Sequence, residues 1–190
     1  MVAGLALYRK FREGPGAEEE WRWLHELAEM GFRVPSPVCL ASGGGRSVLV
    51  CEQVAGRPLD AVLTDAVRTG RVDAELDYCA EHVAPMVRRL HDLGLFHRDL
   101  YCNHLFVADL ASQPAMIDVE RVVRPRWRRR RWQVKDLGAL LSSAPAGIPA
   151  KASLRFLRAY LDGDVGSSRP LVEAIVAKAA RIARHQPKYG

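Results

Sequence analysis

The chain has 190 residues, 48% of them hydrophobic, and a formal net charge of +6. That is enough to enclose a core in one domain or two small lobes, and the mixture excludes disordered and collagen-like classes. No apolar run reaches the ~18–20 residues that a bilayer-spanning helix needs.

The opening MVAGLALYRKFREG has a short apolar stretch, with no basic segment before it and no clear cleavage site. It does not read as a signal peptide, so the expected compartment is the cytoplasm. Residues 5–12 alternate weakly and predict a strand. Residues 17–30 predict a helix with Trp21, Leu24, Leu27 and Ala28 as its apolar stripe and Gly31 as its stop. VCLA, SGGGR and SVLVCEQV then read as a β-hairpin about a glycine turn. Gly56 and Pro58 break the pattern. A short helix is expected over 60–69, and a longer one over 73–93 carries Leu76, Cys79, Ala80, Val83, Val87, Leu90 and Leu93 at helical spacing up to Gly94. Two short apolar runs follow, at 105–107 and 115–117, then helices over 134–143, 149–161 and 170–184. This order predicts an α+β plan of two lobes, 1–55 and 56–190, meeting near residues 52–58. Cys39, Cys51, Cys79 and Cys102 form no CxxC pair and read as buried, reduced thiols.

The chemistry concentrates after the long helix. His97-Arg98-Asp99-Leu100 precedes the strand at 105–107, and Asp118 ends the partner strand in MIDVER. If those strands pair, both aspartates open toward one cleft. One carboxylate there can orient an incoming hydroxyl and accept its proton, and the other can hold a metal bridging nucleotide phosphates.

HRDLYCNHLFV, MIDVERV and RRRRWQVKDLGAL together are similar to the lipopolysaccharide kinases that phosphorylate heptose or Kdo of the inner core. The upstream AEEEWRWLHELAEMGFRVPSPV resembles the same family, and the likeness runs from about residue 7 to 160. It implies a two-lobed protein-kinase-like fold that uses ATP and Mg²⁺ to phosphorylate a sugar hydroxyl. By that resemblance Asp99 is the catalytic aspartate and Asp118 the metal ligand. Lys10 contacts the ATP phosphates, and Glu20 pairs with Lys10. His97, Arg98 and Asp136 give structural support: His97 as a ring packed behind the loop, Arg98 as a cation available to a nearby carboxylate, Asp136 as a brace for the catalytic loop. His104 stands where protein kinases carry a metal-binding asparagine. Because Mg²⁺ prefers oxygen, His104 is expected either to donate to a phosphate or to bind a more nitrogen-tolerant ion such as Mn²⁺. The bland alternatives are an exposed strand lysine at Lys10, a solvated helix acid at Glu20 and a packing role for His104.

Seven arginines, Arg121, Arg124, Arg126 and Arg128 to Arg131, fall within eleven residues. A solvated basic loop is the plain account. Their place after Asp118 favours Arg128, Arg129, Arg130 and Arg131 as acceptor-binding, because guanidinium forks match phosphates and carboxylates. The expected partner is a lipopolysaccharide core or another anionic glycolipid, with no specific nucleic acid and with the inner face of the cytoplasmic membrane as a place of peripheral contact. With Met1 nine residues ahead of Lys10 there is no room for a glycine-rich hairpin, so the N-lobe is expected to be truncated, through a reading frame begun too late. A small atypical protein kinase and a pseudokinase binding module are the competing functions.

Overall fold

A computed structural model describes residues 7–13, 16–163 and 168–185; positions 5 and 6 of the first expected strand lie outside them. Strand β1 (Leu7–Glu13) turns Lys10 and Arg12 to one face and leaves Phe11 69% exposed on the other. Helix α1 (Gly16–Glu29) buries Ala17, Glu20, Trp23, Leu24 and Leu27. Ala28, expected on that stripe, is exposed; it falls at the edge of the buried arc, and Trp23 fills the opposite edge. Gly31, at φ +76°, closes the helix, with the Phe32 N–H donating to the Leu27 carbonyl at 2.9 Å.

Strands β2 (Pro37–Gly43) and β3 (Arg46–Glu52) form the expected hairpin. Gly44 and Gly45 both have positive φ, as the tight two-residue turn requires. The antiparallel sheet runs β1-β3-β2, so Leu49 and Cys51 of the central strand face α1. Among the described residues no strand precedes β1.

At Gly56, after β3, a Cβ would sit 2.1 Å from the Val107 carbonyl oxygen. Strand β4 (Arg57–Pro58) leads into α2 (Leu59–Thr69). The helix expected over 73–93 runs without a break over residues 73–92, with a π-helical turn inside it. It comprises α3 (Asp73–Tyr78), a π-helical turn over Cys79–Val83 and α4 (Ala84–Asp92). Pro85 has no N–H to continue the ladder, and the Ala84 N–H reaches back five residues to the Cys79 carbonyl. Leu93 is 43% exposed rather than core, because Gly94 (φ +75°) turns the chain and buries Leu95 instead.

Strands β5 (Leu105–Val107) and β6 (Ala115–Met116) pair with β4 in a second sheet, ordered β4-β5-β6. The Met116 N–H donates to the Arg33 carbonyl at 2.8 Å, tying this sheet to the segment after α1. Helices α5 (Arg129–Ser143), α6 (Ala150–Tyr160) and α7 (Arg169–His185) complete the fold. Helix α5 begins five residues before the expected position, so Arg129, Arg130 and Arg131 form its first turn rather than a loop. One core joins both lobes through Leu24, Leu49, Leu59, Leu90, Leu105 and Met116. Cys51 and Cys102 are buried and Cys79 is half-buried, whereas Cys39 is exposed, contrary to expectation. Burial pushes the Cys51 and Cys102 thiols up to about 11 and Cys79 to about 12, which keeps all three protonated.

Candidate active site

The loop between α4 and β5 is held from below by Asp136 of α5, which is fully buried. Its two oxygens accept the backbone N–H groups of His97 and Arg98, each at 2.7 Å, and His91 Nε2 lies 3.3 Å away. This grip holds Arg98 at φ +71°, a conformation a non-glycine residue adopts only when its surroundings dictate it. His97 is fully buried and its Nε2 donates to the Ile117 carbonyl at 3.1 Å, one residue before Asp118. Burial depresses its pKa, so the ring is neutral. Arg98, expected beside a carboxylate, instead places its guanidinium over the Trp132 ring at 5.0 Å. Asp136 accepts only its backbone, which leaves the side chain to the aromatic face.

Asp99 accepts from Arg121 Nη1 at 2.7 Å and has Lys135 Nζ at 3.4 Å. Burial lowers the Lys135 pKa, against the pull of Asp99. Asp118 sits at φ +59°, tolerable for aspartate, at the end of the β5–β6 pair. It pairs with Lys10 and with Arg12 Nη2 at 3.6 Å, and His104 Nε2 lies 3.8 Å away. Lys10 also donates to both Glu20 oxygens at 2.9 Å. Burial acts to lower the Lys10 pKa, but its bonds to Asp118 and Glu20 outweigh it and hold the ammonium above its ordinary value. The same Lys10 bond overcomes burial at Asp118 and draws its pKa down. Glu20 is raised, because its burial exceeds what Lys10 returns.

His104 joins the two aspartates. Its Nδ1 lies 2.8 Å from the Asp99 carbonyl oxygen, which can only accept, so Nδ1 carries a proton. In the neutral ring the lone pair is therefore on Nε2, the nitrogen that faces Asp118.

Three residues of this site escaped the sequence reading. Lys135 stood in a quoted motif without a role. Arg12 lies two places after Lys10 and so shares its strand face, a period-two signal that could have found it. Glu120 lies two places after Asp118, and Arg12 Nη2 approaches it at 2.5 Å. Oxygens of Glu20, Asp118 and Glu120 lie within 4.8 Å of one another, a hard-oxygen set that suits a divalent cation. Of the four arginines expected to bind an acceptor, Arg128, Arg130 and Arg131 line one groove with Arg98, Trp132 and Lys135. Arg129 lies over Gly94, where an added Cβ would meet its Nη2 at 1.9 Å.

The family described as "Lipopolysaccharide kinase (Kdo/WaaP)" matches residues 6–160. The lipopolysaccharide core heptose(I) kinase WaaP of Pseudomonas aeruginosa is 30% identical over 181 residues, covering 88% of this chain. The chain spans 65% of that relative's length. A solved structure of WaaP in complex with acyl carrier protein superposes with a TM-score of 0.75 at 26% identity, covering 97% of this chain and 81% of the other. An aminoglycoside-3'-phosphotransferase of type VIII superposes with a TM-score of 0.54 at 22% identity, covering 89% of this chain and 84% of its own. That match shows a shared protein-kinase-like fold.

Proposed function

The chain belongs to the lipopolysaccharide kinase (Kdo/WaaP) family, and on that premise we propose that it transfers the γ-phosphate of ATP to a hydroxyl of a lipopolysaccharide inner-core sugar, heptose or Kdo. The observation that carries this reading is the single imidazole, His104, spanning the Asp99 carbonyl and the Asp118 carboxylate, beside an intact Lys10–Glu20 pair. The division of the chain into lobes at residues 52–58 is part of the same reading.

Asp99 orients the acceptor hydroxyl and takes its proton as the new P–O bond forms. Arg121 and Lys135 hold that carboxylate in place and present positive charge beside the transferring group. Lys10 binds ATP phosphate oxygens, and Glu20 keeps its ammonium aimed. Asp118, with His104 and the Glu120 carboxylate, would hold the divalent cation, for which Mg²⁺ is the natural candidate. When bound, that ion neutralises phosphate charge. Asp136, through the backbone of His97 and Arg98, fixes where Asp99 stands. An acyl carrier protein partner belongs to the same proposal, by the likeness to the solved complex.

The test is transfer of labelled phosphate from ATP to purified core glycolipid, run with and without Mg²⁺ and beside a generic protein substrate. The expected result is metal-dependent transfer to the glycolipid alone. Labelling of protein instead would favour an atypical protein kinase, and no transfer to either would favour a binding module. In the same assay His104→Asn is expected to shift activity from Mn²⁺ toward Mg²⁺, since an amide oxygen replaces the Nε2 lone pair. Unchanged turnover and metal preference would remove any special role for this ring. The described residues include no helix long and apolar enough to cross a membrane, so contact with the membrane's inner face is proposed only as peripheral.

A further inference from the structure

Outside the catalytic cluster the most heavily charged feature is a groove between α5 and α7. Arg128, Arg130, Arg131 and Lys135 line it from α5 and the residue before it, Arg98 enters from the catalytic loop, and Lys178 and Arg181 come from α7. No carboxylate is among the described residues that line it. Ala174, Ala177, Lys178 and Arg181 follow helical spacing, so one face of α7 forms this wall.

The geometry is built rather than incidental. At Gly138 an added Cβ would lie 2.7 Å from Lys178 Cγ, so the glycine lets α7 lay the Lys178 stem across α5, one turn beyond Lys135. Trp132 is flanked by the Arg98 and Arg131 guanidinium groups, at 5.0 and 5.3 Å from its ring, which fixes two cations in position. The inner end reaches the chemistry directly, because Lys135 belongs both to the groove and to the Asp99 cluster at 3.4 Å. Arg129 belongs to the same arginine run but lies over Gly94.

We propose that this groove is the anion subsite of the acceptor: Lys178 and Arg181 of α7, with Arg128, Arg130 and Arg131, bind an oxyanion that the glycolipid already carries away from the hydroxyl to be phosphorylated. The inference rests on the glycolipid-kinase reading above and adds α7 and a requirement on the substrate. The reaction that installs this anion must then precede the one performed here. Phosphate and carboxylate share the needed chemistry, since each offers paired oxygens to guanidinium and ammonium groups. A bare membrane surface is disfavoured because Lys135, which lines the groove, also lies 3.4 Å from Asp99.

The experiment is equilibrium binding of purified core glycolipid in detergent micelles to the full chain, without ATP. K178E with R181E is expected to weaken binding roughly tenfold or more, while R129E stays within about twofold and affinity for ATP is unchanged in both variants. K178Q with R181Q gives a milder loss and serves if the reversal pair misfolds. Glycolipid stripped of phosphate, or with its carboxyls reduced, distinguishes the source of the anion. Wild type loses affinity for at least one of them, and the α7 pair then loses nothing further. The proposal is overturned if wild type does not bind the glycolipid, if the α7 pair binds like wild type, or if its loss persists on glycolipid lacking both anions. It is also overturned if the loss appears only on phosphatidylglycerol vesicles, which would make the groove a membrane contact. Wild type that binds through α7 yet transfers no phosphate would remove the catalytic reading and leave the subsite standing.

Discussion

Asp99→Asn is expected to lower kcat by roughly 10²–10⁴-fold, the range that a positioned general base contributes. The amide keeps the size of the carboxylate and can still accept from Arg121 at one oxygen, so the acceptor pocket is not reshaped. It cannot take the hydroxyl proton, and it no longer offsets the charge of Lys135. The Arg121 side chain is 47% exposed, which screens its pair with Asp99, and the less exposed Lys135, at 23%, makes only a long contact of 3.4 Å. Melting temperature is therefore expected to move by no more than about 2 °C, and KM for ATP to stay near wild type because Lys10 and Asp118 are untouched. Steady-state kinetics beside thermal unfolding check this. Activity within a few-fold of wild type would show that Asp99 is not the base.

Asp136→Ala is expected to give the largest loss of stability, about 3–5 kcal/mol. The side chain is wholly buried and accepts two backbone N–H groups at 2.7 Å, and its removal strands both. Each buried donor left without a partner costs about 1–3 kcal/mol, and the vacated volume adds to that. Asp136→Asn is expected to fall between, because the amide nitrogen would face a backbone donor. Denaturant unfolding at unchanged slope measures the effect, and a midpoint shift equivalent to less than about 1 kcal/mol would contradict it. Activity should fall as well, since nothing else holds Arg98 at positive φ and Asp99 follows it directly.

These two aspartates differ in how they could be known. Asp99 stands in a contiguous motif, and the elements around it are read from local periodicity. The hairpin turn at Gly44-Gly45 and the glycine stops at Gly31 and Gly94 follow from residues that tolerate positive φ. Errors arose where a local rule met a tertiary neighbour. The long helix formed as expected, but Pro85, which lacks a donor, adds a π-turn that the spacing did not show. Leu93 and Ala28 were misplaced by a single residue at the edge of an apolar arc, where a few tens of degrees decide burial. Helix α5 reached back into the arginine run because α5 packs along α7, and helical spacing alone carries no sign of that partner. Lys135 and Glu120 had no legible role, since their partners lie 36 residues away at Asp99 and 108 residues away at Arg12.

By itself, then, the order of residues determined the α+β succession, the HRDL loop, the two candidate aspartates and the family. Those depend on short-range backbone preference and on contiguous motifs. Only the folded chain decided that one histidine lies between both aspartates, that Arg98 faces Trp132 and not a carboxylate, and that α7 brings two cations to the groove that Lys135 also lines. These depend on side chains from distant segments meeting at 3–5 Å, which packing sets and which no spacing along the chain records.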